Sequence, residues 1–327
     1  MRPWLSVLIP VHDVERYLDE CLSSVLAQRL DGVEVVVVDD ASSDRSPALL
    51  DGFSARSPHS IRLIRHERNQ GVSAARNTLL DAASGTYCWF LDADDAMTPG
   101  AIERLRAVVD SHSPDLVLCD FQRWRSEAAA PVGRRIEGPR IPSFDGTPDT
   151  RLTDPERLFA GLFAEGRLHV WSKIARRELW STDLRFPEGR YFEDMVVTPR
   201  LALRARSYVY VPEIWVRYRQ RAGSILSVPS LGKVDDMAMG VAGVLDAWLA
   251  AHPDMDPRTR FLFTKYCVRI LGFTMKDLRT LGEATEERIA HYRRLFYANT
   301  RLTRASLVMQ YLRHGNALRL VRHWRYL

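Results

Sequence analysis

Apolar and polar positions follow two periods along the first 125 residues, and the switches between them mark the elements. Leu5–Pro10 is a short, nearly unbroken apolar run that predicts a buried strand, stopped by Pro10. Val14–Gln28 places apolar or small side chains at Val14, Tyr17, Leu18, Cys21, Leu22, Val25 and Leu26, the stripe of an amphipathic helix. Val33–Val38 is five valines around one glutamate, the pattern of a strand covered on both faces, and it ends in Asp39 and Asp40. Ser43 is placed to cap the next helix, with Ser46 and Pro47 in its first turn. Ile61–Ile64 predicts a third strand, Asn69–Asn77 a glycine turn leading into a small-residue helix, and Tyr87–Leu91 a fourth strand. Pro99–Ser111 reads as a helix and Leu116–Phe121 as another strand.

Strands alternating with helices imply βαβ units and a largely parallel sheet. The C-terminal ends of the predicted strands carry polar side chains: His12 and Asp13, Asp39 and Asp40, Asn69, then Asp92 and Asp94. In a parallel sheet those ends share one edge, where open α/β folds bind ligands. No GxGxxG follows the first strand and no GxxxxGK[ST] occurs, so neither a dinucleotide fingerprint nor a phosphate loop is present. A nucleotide at this edge would be held by acids and a metal.

Trp124–Thr153 turns polar and rich in Gly, Pro and Arg, which predicts a long loop over the site or a mobile segment. Asp154–Ala164 resumes as a helix with Asp154 as cap and Pro155 at its first position. Val170–Leu179 follows, and in Arg190–Leu203 the pair Glu193-Asp194 opens an apolar-periodic helix. Val209–Arg219 alternates as a strand, ended by Arg219–Ile225. From Lys233 the strands stop. Val234–Ala251, Pro257–Leu281, Glu283–Thr300 and Leu302–Leu327 all read as amphipathic helices.

Length and composition sharpen this picture in four ways. A length of 327 residues suits about two domains. Four scattered cysteines without a CxxC pair argue against a zinc site or a disulfide framework and suit a reducing compartment. No stretch approaches the roughly 18 apolar residues of a membrane span, and no secretory pattern precedes the first strand, so a cytoplasmic protein is expected. The net charge of +5 conceals an asymmetry: residues 288–327 hold nine arginines and no acid, which leaves −4 (5 − 9) on residues 1–287. A basic amphipathic tail reads as a peripheral contact with an anionic membrane or acceptor, or as packing on this chain's own acidic body or on a second subunit of a homo-oligomer.

The candidate chemistry centres on Thr86–Asp95, TYCWFLDADD, an apolar strand that delivers three carboxylates to the sheet edge. Carboxylates there suit a hard divalent cation, Mg²⁺ or Mn²⁺, with open positions for a substrate's phosphates. The plain alternative is a solvated acidic turn ahead of a helix. Glu193-Asp194 has a plain reading too, as a complement to the helix dipole.

Six segments decide between these readings: SVLIPVHD (Ser6–Asp13), VVDDASSDRS (Val37–Ser46), NQGVSAARN (Asn69–Asn77), FLDADD (Phe90–Asp95), Glu193-Asp194 and RQRAGS (Arg219–Ser224). In this order and spacing residues 4–225 resemble an inverting family 2 glycosyltransferase with the GT-A fold. The family's usual VDDGS has Ala41 in place of its glycine, and its usual PVYN reads PVHD, a change that bears on the nucleotide base near His12. The resemblance implies a GT-A Rossmann-like, mostly parallel sheet flanked by helices: a nucleotide-sugar half over 1–125, an acceptor half over 126–232, and an all-helical C-terminal module over 233–327. It implies that Asp40 accepts hydrogen bonds from a uracil-like base, with Pro10 and His12 lining the base pocket. Asn69, Gly71 and Arg76 belong to the segment that packs on base and ribose, and Asp92 binds the ribose. Asp94 ligates the divalent metal, Asp194 is the general base, and Glu193 positions it or binds acceptor. Arg221 and Ser224 close over the diphosphate. His169 is read as structural or as an aid to metal or acceptor, and Lys173 as an acceptor or phosphate contact or a surface residue.

The implied reaction moves a hexosyl or N-acetylhexosaminyl group from a UDP-sugar to a carbohydrate, polyol-phosphate polymer or lipid-linked acceptor. The rival is a non-catalytic sugar- or nucleotide-binding or assembly subunit acting through its helical tail, which has no need of Asp94 or Asp194. A sugar nucleotidyltransferase would need a glycine- and arginine-rich loop after the first strand, and VHDVERYL is not one. Nucleic acid is not an expected partner, because the tail has no aromatic stacking platform.

Overall fold

The computed structural model describes residues 2–57, 61–126, 135–180, 182–220, 228–316, 318 and 327. Its first half follows the hydrophobic pattern closely. Strand β1 (Leu5–Val11) feeds helix α1 (Glu15–Leu26), β2 (Val33–Asp39) feeds α2 (Ser46–Arg56), and β3 (Ile61–Arg65) feeds α3 (Val72–Ala82). Strand β4 (Tyr87–Phe90) leads through the two-residue β5 (Ala96–Met97) to α4 (Ala101–His112). The valine run of β2 divides as a strand must: Val35 and Val37 enter the core under α1, α2 and α4, whereas Val36 and Val38 enter the opposite core with α3. Both faces are covered, so polar alternation is absent.

Ser43 is not the cap of α2. It bonds Asp13 instead, while the Asp44 carboxylate accepts from Ser46 N at 2.8 Å.

Chain 116–153 departs from expectation. Strand β6 runs Leu116–Ser126, and β7 (Arg135–Ile141) pairs with it antiparallel, so much of the expected loop is sheet. The long parallel pairing with β9 (Tyr208–Arg219), from Leu116 opposite Tyr208 to Trp124 opposite Arg219, carries β6 past its apolar run. Gly138 permits the close approach of β7, since a Cβ there would lie 2.9 Å from the Arg123 carbonyl oxygen.

The remaining elements are α5 (Pro155–Glu165), capped by Asp154 as expected, β8 (Lys173–Arg176) and α6 (Glu193–Arg204). The described strands form one sheet in the order β3-β2-β1-β4-β8-β6-β9-β5, with β7 on β6. Strands β1 to β4 pair parallel, β8 lies antiparallel to both β4 and β6, and β9 is parallel to β6. Thus β1, β2, β3, β4, β6 and β9 all point the same way, and their C-terminal ends share one edge with the start of β8. The order reverses at β1, with β2 on one side and β4 on the other, which opens the crevice where such sheets take ligands.

The C-terminal part is helical as expected, with one division. Val234–Ala251 is two helices, α7 (Leu231–Met239) and α8 (Val244–Ala251), because the chain turns at Gly243 with φ of 69°. Helices α9 (Pro257–Thr280), α10 (Glu286–Thr300) and α11 (Arg304–Arg313) follow. Their apolar faces join the core of α3, α5 and α6, a single cluster from Leu8 to Leu327. In α11, Leu307 and Tyr311 are buried. Of the tail beyond Asn316 only Leu318 and Leu327 are described, so the expected helix to Leu327 lies mostly outside the described residues. The four cysteines are free and buried. No helix among the described residues is long and apolar enough to cross a membrane.

Candidate active site

The shared edge gathers the polar strand ends. Pro10 lies buried within β1, and His12 follows it. Asp40, just past β2 and 2% exposed, is enclosed by the turn after β3. Its Oδ1 accepts from Gln70 N at 2.9 Å and meets His66 Nδ1 at 2.7 Å, and its Oδ2 accepts from Gly71 N at 2.7 Å. Asn69 spans this turn, its Oδ1 accepting from Gly71 N at 2.9 Å and its Nδ2 donating to His12 Nε2 at 2.7 Å. Gly71 holds φ 89° and ψ 163°, a conformation that essentially only glycine adopts. Ala41 sits at φ 54°, the left-handed region that explains the glycine usual in the resembled family.

Arg76, projecting from α3 and 2% exposed, binds the next layer together. Its Nη2 donates to Asp92 Oδ1 at 2.8 Å, and its Nη1 to Glu193 Oε1 at 2.5 Å and Asp194 Oδ1 at 3.4 Å. Burial works against its charge, but Asp92, Asp194 and Glu193 more than offset that and raise its pKa. Its Nε has no hydrogen-bond partner. The guanidinium therefore faces acids from both predicted halves, a role not legible in NQGVSAARN alone.

Beyond Asp92 the chain turns tightly, Asp95 N donating to Asp92 O at 2.9 Å. Asp95 is fully buried: its Oδ1 accepts from Arg219 N at 2.7 Å, while its Oδ2 has no hydrogen-bond partner. Desolvation, reinforced by Asp94 and Asp92, holds the Asp95 carboxyl well above its ordinary range. Arg219 donates to Asp94 O at 2.7 Å and Glu20 Oε2 at 2.5 Å and stacks over Trp124 at 3.8 Å. Asp94 is half-buried. Among the described residues no three His, Cys, Asp or Glu side chains form a ready-made metal cage. A Mg²⁺ or Mn²⁺ ion on a diphosphate needs only one or two carboxylates beside the phosphate oxygens. Asp94, with Asp92 two residues before it, fits that donor set.

The side of the site beyond Arg76 is set by α6. Phe192 takes a left-handed φ of 58° and swings Glu193 and Asp194 into the helix start. Asp194 Oδ2 accepts from Val170 N at 3.2 Å and lies 4.0 Å from His169 Nδ1. Desolvation outweighs the opposing pull of Arg76, and with Glu193 and Asp92 adding to it raises the Asp194 carboxyl to about 7. His169 stacks on Trp171 with centroids 4.7 Å apart, beside Tyr218. Burial, Lys173 and Arg167 press its pKa far below the ordinary value, so its imidazole is neutral. Lys173 is wholly buried, which removes both the expected ligand contact and the surface role.

The edge thus brings Pro10, His12, Asp40, Asn69, Gly71, Arg76, Asp92, Asp94, Glu193 and Asp194 together. Arg221 and Ser224 lie outside the described residues. His66 carried no expectation from sequence, while Asp95 and Arg219 stood within FLDADD and RQRAGS without a role of their own. The rule of polar strand ends reaches His66, one residue past β3, whereas nothing in the sequence marks the buried pairing of Asp95 with Arg219.

A family model described as Glycosyl transferase family 2 matches residues 6–159. The chain is similar to the Uncharacterized glycosyltransferase EpsJ of Bacillus subtilis (strain 168), 31% identical over 241 residues, or 72% of this chain and 67% of that protein. It is also similar to the Minor teichoic acid biosynthesis protein GgaB of the same organism, 33% identical over 219 residues, or 66% of this chain but only 23% of that protein. Among solved structures, S. aureus TarS 1-349 in complex with UDP-GlcNAc matches with a TM-score of 0.70 and 21% identity, covering 97% of this chain and 88% of that chain. At that identity the likeness is one of fold.

Proposed function

Since the chain belongs to glycosyl transferase family 2, we propose that it moves a hexosyl or N-acetylhexosaminyl group from a UDP-sugar to an acceptor hydroxyl, with inversion and with Mg²⁺ or Mn²⁺. The observation that carries this reading is Asp194, a largely buried carboxylate with its pKa raised to about 7, joined through Arg76 to the donor-side acid Asp92. A general base works best when its pKa lies near the working pH.

In this reading the donor half, 1–125, binds the nucleotide at the β1/β4 crevice. Asp40, already accepting from Gln70 and Gly71, faces the base beside Pro10 and His12, and Asp92 takes the ribose. Asp94 would hold the metal, which would supply neutralisation of charge on the diphosphate. Asp194, in the acceptor half 126–232, removes the acceptor proton while Glu193 and Arg76 fix its orientation. Arg221 and Ser224 complete the diphosphate contacts, Arg suiting phosphate through its planar fork.

TarS is in complex with UDP-GlcNAc and GgaB is named for minor teichoic acid biosynthesis. A UDP-N-acetylhexosamine donor and a polyol-phosphate polymer, cell-surface polysaccharide or lipid-linked acceptor are therefore tested first. The exposed arginines of the C-terminal helices, among them Arg294 and Arg313, draw the enzyme to such an anionic acceptor or to the inner membrane face. Arg294→Gln with Arg313→Gln should weaken binding to anionic liposomes or polymer, and salt should mimic the loss.

The deciding experiment is a hydrolysis screen of nucleotide sugars with Mg²⁺ or Mn²⁺, followed by NMR of the anomeric centre in the transfer product. Retention would sink the single-displacement mechanism, and full activity in excess chelator the metal. UDP binding without turnover of any donor would favour the non-catalytic alternative.

A further inference from the structure

The base candidate faces a turn, residues 167–172, whose carbonyls are taken by buried side chains. Lys173 Nζ donates to Arg167 O at 2.5 Å and to Ser172 Oγ at 2.7 Å. Ser172 Oγ donates onward to His169 O at 3.0 Å, and Thr198 Oγ1, from the helix that carries Asp194, donates to Leu168 O at 2.7 Å. Three successive carbonyls are thereby fixed by donors without access to solvent.

The peptide joining His169 to Val170 is the critical unit. A trans peptide is planar, with its C=O and N–H pointing to opposite sides. Ser172 holds the carbonyl side through its hydroxyl at 3.0 Å and, more weakly, its backbone N–H at 3.3 Å, and the N–H side donates to Asp194 Oδ2 at 3.2 Å. Rotation of that plane would withdraw the N–H from the carboxylate. Lys173 anchors Ser172, so its influence reaches Asp194 through one hydroxyl and one peptide.

Lysine is a costly choice for this position. Its amine is fully buried, and desolvation pulls its pKa down to about 8 although Cys119, Asp194 and Asp120 act in the opposite sense. An apolar side chain of similar length would fill the space without that cost. The ammonium does have what a leucine or methionine lacks, several donors that can hold two acceptors at once.

We propose that Lys173 is a positioning residue for glycosyl transfer: through Ser172 it sets the His169–Val170 peptide whose N–H orients the Asp194 carboxylate, without touching substrate. This rests on Asp194 being the general base.

The test uses Lys173→Met and Ser172→Ala in the full chain, with two readouts. The first is UDP affinity, expected within about twofold of wild type because neither residue lies at the β1/β4 crevice. The second is the titration midpoint of the Asp194 carboxyl, followed by carbon NMR and assigned with Asp194→Asn. The groups facing Asp194 are Arg76 from α3, Glu193 on its own helix, Asp92 after β4, His169 on the turn, Lys173 at the start of β8 and Tyr266 from α9. Loss of an N–H that favours the ionised form should raise the midpoint, by about one pH unit. Lys173→Met also removes a positive charge, so Ser172→Ala, which keeps it, is the decisive variant and carries the test alone if Lys173→Met does not fold. A folded Ser172→Ala protein with the wild-type midpoint overturns the proposal. Retained transfer by Asp194→Asn overturns the base assignment instead, whatever the midpoints do.

Discussion

The sheet edge and the helical part bury side chains by opposite means. At the edge, Arg76 faces three carboxylates, Asp95 Oδ2 and Arg76 Nε have no hydrogen-bond partner, and Phe192 and Ala41 take left-handed backbone conformations. Against α5, α8 and α9 the buried mass is aromatic, with Phe159 4.4 Å from Trp248 and 4.6 Å from Phe163, and Phe163 5.0 Å from Phe263. One region holds charge under constraint; the other supplies the packing that withstands it. The two meet at α6, which presents Asp194 at one end and buries Val197 and Leu201 in the shared core. The helical part is thus a footing for the candidate base.

Asp194→Asn should separate the regions most sharply. Transfer should fall about 10²- to 10⁴-fold, the range of general-base catalysis, with UDP affinity nearly unchanged; wild-type turnover would place the base elsewhere. In the wild type, transfer should fall as pH drops through about 7, where Asp194 takes up a proton. Stability should move the other way. The folded state holds that proton between the ordinary 3.8 and about 7 while the unfolded chain does not, so this group's contribution declines as pH rises across that window. Urea melts of wild type and Asp194→Asn from pH 5 to 8 measure the difference.

Phe159→Ala tests the footing. Truncating this wholly buried ring should cost about 3–5 kcal/mol of stability. UDP affinity of the remaining folded protein should be little altered, since Phe159 sits on α5 among aromatic side chains of α8 and α9 and not at the strand ends proposed for the nucleotide. A full loss of UDP binding in folded protein would show that the regions are not separable.

Gly71→Ala strikes the edge through its backbone. A Cβ there meets no atom within 4 Å, so the penalty comes from conformation alone, about 1–3 kcal/mol. The N–H donated to Asp40 should shift, and UDP affinity should fall together with stability. Unchanged binding calorimetry would detach this turn from the nucleotide.

The smallest expected effect has the opposite sign. Ala41→Gly relieves a left-handed alanine and should stabilise by about 1 kcal/mol, with donor binding intact. A lower melting temperature would mean that the alanine methyl makes a contact worth more than the strain.

The sequence by itself determined most of the first half of the fold and which polar strand ends meet at one edge. Hydrophobic period separates β1, β2, β3 and β4 from α1 and α3 because each element buries a face whose spacing is fixed by its own geometry. The polar residues at strand ends follow from the same reading, since parallel strands must present their ends together. Tertiary structure alone decided the rest. Strand β7 exists because β6, drawn out along β9, offers an edge to pair, and no local pattern encodes a distant partner. The convergence of Arg76 on Asp92, Glu193 and Asp194 spans more than 100 residues of chain. Burial of Lys173 was equally hidden, because an ammonium in the interior is worth its desolvation only where folding has already placed its acceptors.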